Sequence, residues 1–140
     1  MRKLVLALLM AAAAVMGVLM PATASAAEAT QFAVAGTPPP KSQMECHSYV
    51  AVEICWEKAG DHWWVQDQDS DSASAGVYWR NNRNGSLYRD GHCITSLGKD
   101  KWGQCNKNYY EDSQLYGFPC VWDRSATDVI TCSREGYQYQ

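Results

Sequence analysis

Six cysteines constrain the fold of this 140-residue chain more than any other feature of its sequence. They are Cys46, Cys55, Cys93, Cys105, Cys120 and Cys132. An even number of cysteines in a small exported chain is typical of a disulfide framework, although many pairings are possible. The short spacings favour the neighbour pairs Cys46–Cys55, Cys93–Cys105 and Cys120–Cys132. We expect each bridge to clasp one predicted turn and to stabilise the fold by about 2.5–3 kcal/mol, leaving no thiol for catalysis or zinc.

The first 26 residues have the layout of a secretory signal peptide. Arg2 and Lys3 precede an uncharged apolar run at 4–20, and small residues at 24–26 supply a cleavage site. The run is short for a membrane span, which together with the cleavage site favours removal over an uncleaved anchor. We therefore expect a secreted, extracellular, monomeric protein without a membrane attachment once the signal peptide is gone.

The net charge argues against two classes of partner. Removal of Arg2 and Lys3 with the signal peptide takes the formal net charge from −3 to −5. A mildly acidic domain without a basic stripe is a poor match for the phosphates of nucleic acid or for an anionic membrane. We expect neither nucleic acid nor membrane as a partner.

Residues 27–45 differ in composition from the rest of the chain. Pro38, Pro39 and Pro40 favour an extended conformation and cannot donate hydrogen bonds to a sheet. We interpret 27–45 as a linker or a disordered N-terminus. The folded domain is then predicted to comprise residues 46–140.

This domain is predicted to be all-β, a small antiparallel β-sandwich or barrel stapled by three disulfides. All six tryptophans lie between Trp56 and Trp122, aliphatic residues are sparse there, and no helical period is sustained. Turn signals such as Asn84-Gly85 and Asp90-Gly91 recur at short intervals, as in small all-β folds. The predicted strands are 49–57, 62–67, 75–80, 86–89, 92–96, 104–110, 118–123 and 128–133.

Two further expectations concern individual segments. Residues 97–100 are predicted to join the two arms of a hairpin, which Cys93–Cys105 would clasp. Residues 111–115 alone favour a short helix.

Part of the domain resembles a known group of proteins. The matching runs are G-D-H-W-W-V-x-D at 60–67, a tryptophan at 79, G-x-C at 91–93 and G-x-x-x-W-G-x-C at 98–105. They are similar to a group of small secreted actinobacterial proteins of uncharacterised function. The resemblance covers about 50 residues, from Cys55 to Cys105. It implies a small β domain and the bridge between Cys93 and Cys105, but no activity and no catalytic residue.

Aromatic residues are the leading candidates for ligand binding. Neighbouring strand residues point to opposite faces, so Trp63-Trp64 is expected to place one ring in the core. The other ring is either exposed, where Tyr78 or Trp79 would help it to stack on a sugar or anchor a protein, or covered by a loop. The leading hypothesis is a non-catalytic extracellular binding module for a glycan or a protein.

Three aspartates form a weak candidate for a calcium site. Asp67, Asp69 and Asp71 stand at every second position, as carboxylates do in calcium loops. Ser72 occupies the place where such loops need glycine, so the alternative is a solvated acidic loop. No other cofactor is expected.

Two alternative functions depend on other residues. Lys99 or Lys101, inside the loop closed by Cys93–Cys105, would suit the pocket of a trypsin-like enzyme in a secreted peptidase inhibitor. Carboxylates near Glu57 and Asp61 are the candidates for a small secreted hydrolase. The chain contains no nucleophile elbow of the form G-x-S-x-G, so we expect no enzyme.

Overall fold

The computed structural model describes residues 26–140, and of Ala26 only the backbone. The rest of the predicted signal peptide, residues 1–25, lies outside the described residues. The described chain is all-β, as predicted, with one short 3-10 turn, η1 (Lys41–Gln43). Its strands are β1 (Ala26–Ala27), β2 (Gln31–Phe32), β3 (Val34–Ala35), β4 (Glu45–Tyr49), β5 (Val52–Glu57), β6 (His62–Asp67), β7 (Ser74–Arg83), β8 (Ser86–Thr95), β9 (Trp102–Asn106), β10 (Gln114–Asp123), β11 (Val129–Cys132) and β12 (Tyr137–Gln138).

The strands form two sheets that pack face to face as a β-sandwich. The large sheet has the order β1-β8-β7-β10-β11, with β2 also paired to β8 and β12 to β10. The small sheet has the order β3-β9-β6-β5-β4. Both are antiparallel except that β1 and β2 run parallel to β8.

Aromatic rings fill a large part of the space between the sheets, alongside aliphatic side chains from the same strands. The two-residue period of β7 turns Val77 and Trp79 inward and Tyr78 outward. The indole N–H of Trp63 donates a buried hydrogen bond to the hydroxyl of Tyr109, at 3.1 Å. Large interlocking rings therefore supply the core in a domain that is short of aliphatic residues.

The three predicted disulfides are confirmed, but one has a different role from the expected one. Cys46 lies directly opposite Cys55 in the β4–β5 hairpin, and Cys120 lies opposite Cys132 in β10–β11. Cys93 belongs to β8 of the large sheet, whereas its partner lies on β9 of the small sheet. This bridge thus ties the two sheets together through the core instead of clasping a hairpin.

Three local predictions were wrong. The strand expected to begin at Tyr49 is interrupted, because Tyr49 pairs with Val52 and a two-residue turn lies between them. Asp90-Gly91 lies inside β8, where a Cβ on Gly91 would come within 2.8 Å of a core indole, so packing and not a turn requires this glycine. Residues 111–115 form a turn and the start of β10 rather than a helix.

The N-terminal segment is part of the fold, in contrast to the predicted linker. Its short strands pair first with the large sheet and then, through β3, with the small sheet. Glu28 accepts hydrogen bonds from Arg89 at 3.0 Å and from Lys107 at 2.9 Å, which anchors the start of the segment. Residues 36–44 then cross from the β3 edge of the small sheet to its β4 edge, and we call them the N-terminal cover.

Candidate binding surface

Three of the four predicted ligand-binding aromatics are buried. Trp63 and Trp79 are fully buried between the sheets, and Trp64 is only 5% exposed. Of the two alternatives for the Trp63-Trp64 pair, the structure therefore has the one in which both rings are covered, one in the core and one under a loop. Of the four residues, only Tyr78 remains partly exposed.

The N-terminal cover explains the burial of Trp64. A Cβ placed on Gly36 would lie 3.1 Å from the indole ring, which shows how closely the backbone of the cover approaches it. The indole N–H donates to a carboxylate oxygen of Glu57 at 2.8 Å, and Lys41 in the cover pairs with the buried Glu53. The outer face of the small sheet is therefore closed to a ligand at this point.

The outer face of the large sheet carries an aromatic group that sequence reasoning found only in part. Tyr78 on β7 lies between His92 on β8 and Phe118 on β10, to which it is paired in register. The ring centroids lie 5.0 Å and 5.6 Å from that of Tyr78, respectively. Neighbouring strands thus bring three partly exposed rings side by side on one face.

A second pair of rings extends this group. Phe32 on β2, which is 53% exposed, stacks on Trp122 of β10 with 6.2 Å between ring centroids. The guanidinium of Arg124 lies 4.1 Å from the centroid of the Trp122 ring and forms a cation–π interaction with it. We call Phe32, Tyr78, His92, Phe118 and Trp122 together the outer aromatic face.

Hydrogen bonding and burial keep the polar groups of this face neutral near pH 7. The hydroxyl of Tyr78 donates to Asp90 at 2.7 Å. Burial, reinforced by this hydrogen bond and by the charge of Asp90, raises the pKa of Tyr78 to about 12. Burial also lowers the pKa of His92 below its usual 6.5, against the attraction of Asp90. The face therefore presents a neutral phenol and a neutral imidazole next to apolar rings.

Sequence reasoning missed four residues of the outer aromatic face. His92, Phe118 and Trp122 lie in segments that were correctly predicted as strands, and their two-residue alternation was the available signal. Phe32 was hidden because its segment was interpreted as a linker.

The three aspartates do not converge as calcium ligands. Asp67 is buried and accepts the backbone N–H of Asp69 at 3.0 Å, while Asp71 accepts the backbone N–H of Ala73 at 2.9 Å. Burial is the main cause of the raised pKa of Asp67. Within the described residues, these three carboxylates do not form a group whose oxygens lie within 4.8 Å of one another. They act as turn acceptors in an acidic loop.

The proposed inhibitory lysines lie on a tight turn. Residues 97–101 are all exposed. The N–H of Lys101 donates to the carbonyl of Gly98 at 3.3 Å, which closes a turn around Lys99 and Asp100. The backbone N–H of Asp100 donates to the carbonyl of Asp67 at 2.7 Å, which holds the turn against β6. This loop is presented outward, but it is folded back instead of extended.

The candidate hydrolase residues serve structural hydrogen bonds. Glu57 is the acceptor for the indole of Trp64, and Asp61 accepts the backbone N–H of Tyr109 at 3.1 Å. Glu57 also lies 3.3 Å from a ring nitrogen of His62, so both carboxylates are engaged by neighbouring groups.

A groove lies at the edge of the sandwich. It has a volume of about 560 Å³ and is lined by residues of β4, β5, β10, β11 and β12, including Tyr49, Val121 and Tyr137. Beside it, Val50 is 82% exposed at the tip of the β4–β5 hairpin, with a φ of 53° that is rare for a β-branched residue. The groove is a second apolar surface, and it reaches the outer aromatic face at the Cys120–Cys132 bridge, because Cys132 lines it and lies beside His92.

The described residues define a disulfide-bonded β-sandwich with one covered and one open outer face. No helix in residues 26–140 is long and apolar enough to span a bilayer. No protein-family model, curated protein or solved structure was found to match this chain.

Proposed function

We propose that this chain is a secreted, non-catalytic binding module that holds a glycan on its outer aromatic face. The observation that carries the proposal is the side-by-side arrangement of Tyr78, His92 and Phe118 on the outer face of the large sheet. All three rings stay partly exposed there, although the backbone at Gly136 packs against one side of Phe118. The three disulfides support secretion, because such bonds persist in oxidising compartments.

The chemistry of the face suits a sugar. Sugar rings have apolar C–H faces that stack on aromatic rings and hydroxyls that need hydrogen-bond partners. Tyr78, Trp122 and Phe32 offer the rings, while Asp90, His92 and Arg124 lie beside them with polar groups. The phenol and the imidazole are neutral near pH 7, while Asp90 accepts the hydrogen bond of Tyr78 and Arg124 lies against the ring of Trp122. A neutral glycan therefore fits this surface, because the two charges beside the rings already have partners.

Binding to a glycan array tests the proposal. The wild-type domain is compared with Tyr78→Ala, Trp122→Ala and the control Tyr49→Ala, which removes a more exposed ring, 48% accessible, from the groove at the edge of the sandwich. Loss of one stacking ring removes about 1.4 kcal/mol, so we expect a roughly 10-fold weaker affinity for the first two variants and an unchanged one for the control. A folded wild-type domain without any glycan ligand would contradict the proposal and favour a protein partner.

A peptidase inhibitor is the second candidate, favoured by the exposure of residues 97–101 and by the hydrogen bond from Asp100 that anchors them. It ranks below the glycan module because the backbone at Lys99 is folded into a tight turn. A segment bound in a protease cleft has to be extended to pair with it. Stoichiometric inhibition of trypsin that Lys99→Ala or Lys101→Ala abolishes would reverse this order.

A further inference from the structure

Two of the three disulfides lie on the outer faces of the sandwich, one on each face. Cys120–Cys132 lies on the open face of the large sheet, and Cys46–Cys55 lies on the covered face of the small sheet. In each pair one cysteine is partly exposed, Cys132 in the first and Cys46 in the second. The third bridge, Cys93–Cys105, is fully buried in the core.

The two outer disulfides differ in the side chain that lies next to them. A ring nitrogen of His92 and both sulfur atoms of Cys120–Cys132 lie within 4.8 Å of one another. In the other pair, the corresponding group is a carboxylate oxygen of Glu53. A neutral imidazole can donate an N–H hydrogen bond to a departing thiolate, whereas a carboxylate repels it.

Among the described residues, the group around Glu53 contains no imidazole N–H that could act as His92 does. Lys41 pairs with this carboxylate, and Gln68 donates to it at 3.2 Å. The net charge of the Lys41–Glu53 pair is zero, and no imidazole belongs to the group around Cys46 and Cys55.

We propose that Cys120–Cys132 is a thiol-exchange site of this protein, with His92 as the residue that positions and stabilises the leaving sulfur. The thiolate of an external dithiol attacks the Sγ of Cys132, the more exposed of the two residues. A mixed disulfide forms, and the sulfur of Cys120 leaves towards His92. The second thiol of the reductant then attacks the reductant sulfur that is bound to Cys132 in the mixed disulfide. This closes the reductant's own disulfide and releases Cys132 as a thiol. The dithiol is oxidised to a disulfide, and the protein disulfide takes up two electrons and two protons.

This site shares His92 with the proposed glycan surface, but its chemistry does not require a bound glycan and is tested without one. Reduction would remove the covalent link between β10 and β11, which pair at only four positions. The remaining bridges would still hold the β4–β5 hairpin and the two sheets. The exchange reaction therefore acts on one edge of the large sheet while the core stays linked.

The order of reduction in the wild-type domain tests the proposal without any variant. The folded protein is treated with limiting dithiothreitol at pH 7.5, free thiols are alkylated at intervals, and each cysteine is quantified by peptide mass spectrometry. We expect Cys120 and Cys132 to be labelled at least about 10-fold faster than Cys46 and Cys55. Equal rates, or faster labelling of the second pair, would overturn the proposal.

A variant separates the role of His92 from simple exposure. In His92→Gln, we expect reduction of Cys120–Cys132 to slow several-fold while that of Cys46–Cys55 stays unchanged. A purely structural role would give the opposite result, because loosening of the sheet speeds reduction. An unchanged or faster rate at Cys120–Cys132 in this variant would therefore refute the assignment, and near-ultraviolet circular dichroism confirms that the variant is folded.

Discussion

The two outer faces of the sandwich differ in how far other parts of the chain cover them. On the small sheet, the N-terminal cover packs its backbone on Trp64 and places Lys41 against Glu53. On the large sheet, Tyr78 and Trp122 remain partly exposed, and their neighbours are other rings and polar groups. The covered face therefore contributes mainly to stability, and the open face is the one available to a ligand.

The comparison also shows that aromatic content alone does not locate a binding site. Trp79 and Tyr78 are neighbours in β7, yet one is fully buried in the core and the other lies on the open face. Trp63 and Trp64 are neighbours in β6, and both are buried, one by the opposite sheet and one by the cover. Whether an outward ring is available depends on what the rest of the chain places over it.

The largest expected difference is between one tryptophan on each outer face. Trp64→Ala removes a buried indole and its hydrogen bond to Glu57, and we expect it to lower the free energy of unfolding by about 3–5 kcal/mol. Trp122→Ala removes a partly exposed ring, and we expect a loss of about 1 kcal/mol or less. Urea denaturation of the two variants measures both values. Equal losses would show that the two faces are not distinct.

A smaller effect is expected from disturbing the cover itself. Gly36→Leu forces a side chain against Trp64, so the cover must shift, at a cost of about 1–3 kcal/mol. We expect faster hydrogen exchange of the Trp64 indole N–H, while Thr37→Leu at the next, exposed position serves as the control. If Gly36→Leu left this exchange rate unchanged, the cover would not be what protects Trp64.

The smallest effect is a pH dependence that belongs to the open face. The pKa of His92 is lowered in the folded state, so below about pH 6.5 the unfolded chain binds a proton that the folded chain does not. This contribution to stability is complete above pH 6.5 and is lost as the pH falls towards the lowered pKa. We expect the free energy of unfolding to drop more between pH 7.5 and pH 5.5 in the wild type than in His92→Gln. An identical drop in both proteins would contradict the burial of the imidazole.

The sequence was most informative where neighbouring strands pair through a short local turn. The hairpin of β5 and β6 was predicted, because Val52, Ile54 and Trp56 share one face of the first arm and turn residues follow at 58–61. The pairing of Cys120 with Cys132 was predicted for the same reason. In both cases the contacts are close in sequence, so periodicity and turn residues determine them.

Contacts between distant segments could not be predicted in this way. The pairing of Cys93 with Cys105 was correct, but a separation of 12 residues does not distinguish a hairpin from a crossing between sheets. The parallel pairing of β1 and β2 with β8 involves two-residue strands, which are too short to show a period. For this reason the cover, the burial of Trp64 and the place of Phe32 in the open face were missed.

The indole N–H resonances of the six tryptophans test the central claim most directly. A two-dimensional nitrogen–proton spectrum is recorded while an oligosaccharide identified on the array is added. The account predicts that the Trp122 resonance shifts with ligand concentration, whereas those of Trp63, Trp64 and Trp79 stay in place. Saturable shifts of Trp64 without a shift of Trp122 would show that the ligand binds the covered face and would contradict the account.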